Sequence, residues 1–136
     1  MKIHLVAGIL VASALVLRTP LVDAHHSFAV QYDVSKPVET KGTVTKVEWT
    51  NPHARFYVDA KNDKGEATSW NFEIASPNIL ARNGWKRNTL KIGDTITVSG
   101  YQGRSSPPGG PRMAIASGVV AADGSKLFSS AAADLR

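Results

Sequence analysis

The chain has no cysteine. That excludes a disulfide framework, a cysteine-ligated zinc site and a thiol nucleophile together. It also lacks an apolar run of twenty residues. Its longest such run, residues 5–17, is 13 residues of apolar or small type, about 20 Å of helix against a bilayer core of roughly 30 Å. No run of five or more Lys/Arg residues occurs, and aromatic residues make up only 7% of the chain. Few of them fall on outward strand positions, Tyr57 being the clearest, so the base-stacking and phosphate signature of a nucleic-acid binder is missing. There is no phosphate loop, nucleophile elbow or zinc-protease helix. Glu48, Asp59 and Glu73 are expected on different strands, so spacing supports no catalytic carboxylate pair, and the reading is non-enzymatic. The acidic stretch at 59–66 is not an EF-hand loop. Lys61 and Lys64 occupy its third and sixth positions, and Trp70 stands where a bidentate Glu is required.

What the chain does have begins with an export signal. Met1, Lys2, Ile3 and His4 give a short positive start, residues 5–17 the apolar stretch, and Leu21-Val22-Asp23-Ala24 a small-residue cleavage region. Cutting after Ala24 leaves 112 of the 136 residues. It removes Lys2, Arg18 and Asp23, a net +1, so the formal charge falls from +5 to +4. The expected compartment is the periplasm or the outside of the cell. What remains is enough for one small core-forming domain.

The mature chain divides into a leader, residues 25–37, a β domain, residues 38–128, and a frayed tail, residues 129–136. Phe28 and Tyr32 are placed to dock the leader, and Tyr32 to Pro37 reads as a turn region. Residues 38–49 form a long strand candidate whose apolar parity switches between Val44 and Val47, the mark of a bulge or bend, with Gly42 as one place the chain could coil. Ala54, Phe56, Val58 and Ala60 alternate with Arg55, Tyr57 and Asp59. After a loop at 61–66, Trp70, Phe72 and Ile74 alternate with Ser69, Asn71 and Glu73. Ser76-Pro77 opens a short helix that Asn83-Gly84 closes. Strands follow at 95–101 and 113–120, separated by a Pro/Gly loop, and Lys126-Leu127-Phe128 returns as a short one. Three strands, a helix, then two or three strands is the order of an all-β, small OB-like five- to six-stranded barrel or roll with one short helix.

Three groups of residues are candidate sites. Cleavage after Ala24 would free the amine of His25 beside two imidazoles, His25 and His26. Amine, amide and imidazole nitrogens in that arrangement suit tetragonal Cu(II), and His53 offers a third ring if the leader folds back over its loop. Trp49, Asn51, Pro52 and His53 make a dense ligand loop. Arg82, Lys86, Arg87 and Lys91 make a basic patch. Two functions follow: an exported non-catalytic binding protein that holds Cu(II) through His25, His26 and His53, or an envelope interaction module. The module would present its ligand loop and basic patch to a protein or polyanionic partner, with no nucleic acid and no membrane span.

The chain also resembles a family of small exported bacterial proteins of unknown function. The words that carry it are His25-His26-Ser27-Phe28-Ala29 after the signal and Gly42-Thr43-Val44-Thr45-Lys46-Val47-Glu48-Trp49-Thr50-Asn51-Pro52-His53-Ala54. Trp70-Asn71-Phe72-Glu73, Ser76-Pro77-Asn78, Gly84-Trp85 and Leu90-Lys91-Ile92-Gly93-Asp94 follow in the same order. The resemblance implies an exported single-domain β protein and assigns no ligand.

Overall fold

The computed structural model describes residues 27–130. The signal region, His25, His26 and the tail beyond Ser130 lie outside them. The described chain is mostly β: helix α1 (Ser27–Gln31), strands β1 (Tyr32–Glu48), β2 (Arg55–Lys61) and β3 (Ala67–Glu73), helix α2 (Pro77–Arg82), then β4 (Thr95–Gly103), β5 (Arg112–Ala121) and β6 (Lys126–Ser129). All neighbouring strands pair antiparallel except β3 and β5, which run parallel with Trp70 opposite Arg112 and Glu73 opposite Ile115. That pairing closes the ring β1–β2–β3–β5–β4–β1. The expected OB-like barrel is therefore present, with β6 added outside β5. Closure leaves the five ring strands without a free edge.

One strand serves two neighbours. β1 pairs with β4 from Tyr32 to Thr43 and with β2 from Gly42 to Glu48. At Gly42 it is bonded on both sides, and a Cβ there would meet Asp59 O at 2.3 Å and Val58 Cγ1 at 2.7 Å. Only glycine allows this approach. The parity switch appears as a register shift between Val44 and Lys46. A second shift lets Val34, Ser35 and Lys36 bulge from the β4 pairing. The turn chemistry expected at residues 32–37 is real, but it lies inside the strand. The Asp33 carboxylate accepts from Ser35 N–H and Oγ–H, and those bonds, Ser35's hydroxyl foremost, lower its pKa.

Period-two alternation puts Phe56, Val58, Trp70 and Phe72 inside the barrel with Val44, Ile96, Val98 and Val119. Ala114 and Ala116 are small enough for the inner face of β5. The β2–β3 register sets Phe56 opposite Phe72 and Val58 opposite Trp70. α2 starts as read: Ser76 caps it by accepting from Ile79 N–H, with Pro77 in the first turn. It contributes Leu80 to the core. Trp85 packs just beyond, donates from Nε1 to Leu127 O at 2.6 Å and meets Phe128 edge-on, which ties β6 to the ring.

The second helix, α1, was not expected. Five residues cannot hold a helix alone. Phe28 and Tyr32 bury themselves with Ile115 and Tyr101 on the outer face of β5 and β4. Burying one such side chain contributes about 1.5–3 kcal/mol. Arg104 adds a hydrogen bond from Nε to Ala29 O at 2.8 Å. The leader thus docks through the two aromatics chosen for it, as a strap across the closure of the barrel.

Candidate functional site

The strap converts part of the barrel's outer face into an interior. Arg55, at the start of β2, and Glu73, at the end of β3, are direct cross-strand partners. Both belong to the face that alternation marks as outward. Yet the Glu73 side chain is only 5% exposed, because Tyr32 and Ile115 lie beside it. A carboxylate so buried needs partners, and both oxygens have one. Oε2 accepts from Arg55 Nη2, and Oε1 lies 2.8 Å from His53 Nδ1. Hydrogen bonds between Ala54 and the residues that directly follow β3, Ala54 N–H to Ala75 O and Ile74 N–H to Ala54 O, fix the backbone on which His53 and Arg55 are mounted. The Asn51–Pro52 peptide before them is cis.

Tyr32 completes the group. Burial, the nearby Glu73 carboxylate and a hydrogen bond to it push the phenol's pKa far above its ordinary value of 10.0, while Arg55 pulls the other way. The folded state keeps a proton that the unfolded chain releases near pH 10. Stability is therefore expected to be indifferent to this group below that pH and to fall above it, by at most about 1.4 kcal/mol per pH unit. Urea titrations across the alkaline range should show that slope in the parent and a shallower one in Tyr32→Phe. Equal slopes would place the phenol in water.

Around this group lies a cleft of about 450 Å³, lined among others by Phe28, Tyr32, His53, Glu73, Ile79 and Phe128. Its walls mix apolar and aromatic residues with polar ones, Gln31, Ser76 and Asn83 among them, and His53, whose side chain is 47% exposed, stands in it. With Nδ1 turned to Glu73, Nε2 is the ring nitrogen left for a ligand. Among the described residues no group of three or more His, Asp or Glu side chains converges to hold a metal.

A second polar line runs along the outer face of β1–β3. Asn71 Nδ2 donates to Tyr57 Oη at 3.2 Å, and Tyr57 donates to Glu48 at 3.3 Å. Lys46 pairs with Glu48 and lies over the Tyr57 ring. The Lys46 hydrogen bond, first among several causes, lowers the Glu48 pKa. Asn71 Oδ1 is buried without a partner among the described residues.

Of the sequence candidates, His53 stands in the cleft. Trp49 is half-buried against the core, and Asn51 and Pro52 are exposed. Arg82, Lys86, Arg87 and Lys91 are all exposed. His25 and His26 lie outside the described residues. Sequence reasoning missed Tyr32, Arg55 and Glu73 as site residues. Opposite charges facing each other across the β2–β3 hairpin were a usable signal once its register was counted. The burial of Glu73 was not readable, since it comes from Tyr32 and Ile115, distant in sequence.

A comparison with curated proteins finds no match. Among solved structures, the mitochondrial single-stranded DNA-binding protein Rim1 of S. cerevisiae superposes with a TM-score of 0.45 and 9% identity. The superposition covers 64% of this chain and 92% of that one. A family of unknown function (DUF6152) matches residues 14–112, and the chain belongs to that family.

Proposed function

We propose that the protein is an exported, non-catalytic binding protein that holds Cu(II) at the mouth of the strap cleft. The nitrogens would come from the freed amine and imidazole of His25, the amide or imidazole of His26, and Nε2 of His53. The observation that carries this reading is that Phe28 and His53 line one cleft. His26 is two residues from Phe28, so their Cα atoms are separated by no more than about 7 Å. That short covalent link to a cleft residue is what supports a site shared with His53. The Glu73 contact supports it too, since a carboxylate on Nδ1 fixes the tautomer and aims Nε2 outward. With both its oxygens engaged, Glu73 is a support for His53 rather than a free acid or base. Among the described residues no second carboxylate lines the cleft.

The test is a Cu(II) titration of protein beginning at His25, repeated with the His25 amine blocked by acetylation and with His53→Ala. Losing the amine is expected to weaken binding by at least about a hundredfold, the upper end of what loss of an outer-shell partner costs. Binding should release protons. Equal affinity with the acetylated terminus removes the amine from the site, and equal affinity in His53→Ala removes the third ring.

A further inference from the structure

We propose that Arg82, Lys86, Arg87, Lys91 and Ile92 form a face that seats the protein on an anionic phospholipid surface. Between Ile74 and Gly93 the sequence has no acidic residue. The four cations are exposed, and none makes an ion pair among the described residues. The nearest acid in sequence, Asp94, has Oδ2 turned to the Lys91 backbone N–H at 2.8 Å. Lys86 and Arg87 flank one small crevice with Trp49, Trp85 and Leu90, and the Lys86–Thr89 turn is closed by reciprocal hydrogen bonds. The charges therefore stand on a fixed surface.

Ile92 decides the class of partner. It is 73% exposed, more than Val30, Val34 or Ile79. It is also held rigidly: Leu90 before it is buried, Gly93 N–H donates to Val44 O at 2.8 Å, and Asp94 N–H donates to Lys91 O. Gly93 takes the left-handed conformation that lets the turn close, at φ +95°. An isoleucine is thus presented on an anchored turn, next in sequence to the unpaired Lys91. A soluble polyanion would use the charges and leave Ile92 in water. A bilayer interface uses both, with the apolar tip sinking to the acyl boundary while the cations meet phosphates. The face is independent of the histidine cleft.

Vesicle flotation tests this in the presence of a metal chelator, so the copper reading stands or falls separately. The protein is expected to float with phosphatidylcholine vesicles containing phosphatidylglycerol, to ignore phosphatidylcholine alone, and to be released by salt. Each cation at the surface strengthens binding by roughly fivefold. The combined Arg82→Gln, Lys86→Gln, Arg87→Gln, Lys91→Gln variant should therefore lose roughly six hundredfold. Ile92→Ser should lose about tenfold while keeping the parent's retention on heparin. Circular dichroism checks each fold; should the fourfold change unfold the chain, Ile92→Ser and Lys86→Gln decide the question. No flotation, undiminished flotation of Ile92→Ser, or retention on heparin without flotation would overturn the proposal, the last assigning the face to a soluble polyanion.

Discussion

Phe72→Ala is expected to cost about 3–5 kcal/mol of unfolding free energy, a large share of the roughly 5–15 kcal/mol available to a domain. Phe72 has no exposed surface and lies between two rings, with centroids 5.5 Å from Phe56 and 5.6 Å from Trp70. It faces Phe56 across one ladder and Ala114 across the other, so it sits where the parallel β3–β5 pairing closes the ring. The alanines of β5 cannot expand into the space it would leave, and a cavity that cannot collapse carries the full penalty. Urea denaturation should show the midpoint falling with little change in slope. Ile79→Ala on exposed α2 should stay within about 0.5 kcal/mol. A loss below about 1 kcal/mol for Phe72→Ala would mean that the barrel is not closed around it.

The parts of this fold that can be read from sequence are those fixed by local periodicity. Phe56, Val58, Trp70 and Phe72 alternate with polar residues, and a strand buried on one face must show that period. The parity break between Val44 and Val47 signalled a bulge for the same reason. Ser76-Pro77 signalled a helix because its cap chemistry lies within four residues. Non-local contacts defeated the reading. Ser35-Lys36-Pro37 resembles a turn, and only pairing with Gln102 and Tyr101 makes it a bulge within β1. Gly100 looks like any strand glycine, yet a Cβ there would come within 1.9 Å of Ile115 O. Glu73 alternates onto the outward face and is buried because Tyr32, at the start of β1, and Ile115, its partner on β5, lie beside it. The site is legible at His53, where the residue type suggests the chemistry. It is illegible at Tyr32, Arg55 and Glu73, where only the docked strap makes a site.

Arg55→Ala is the second large expected effect, and it links that strap to the proposed chemistry. The variant leaves the Glu73 carboxylate in place, almost fully buried, with His53 and the neutral Tyr32 phenol as its remaining partners. Removing one partner of a buried ion pair costs about 3–5 kcal/mol. The lower end applies here, because Arg55 is itself 31% exposed and part of its charge is screened by solvent. Replacing both residues, Arg55→Leu with Glu73→Leu, removes the stranded charge and should recover most of that loss. The two variants should order oppositely for copper. Arg55→Ala keeps the carboxylate that orients His53 and should bind Cu(II) close to the parent's affinity while folded. The double variant, though more stable, lets the imidazole turn and should bind about 10–100-fold more weakly. Urea melts and Cu(II) titrations on the same preparations measure both quantities. If the double variant matched the parent in affinity, Glu73 would serve the fold alone and His53 would need no carboxylate to present its nitrogen.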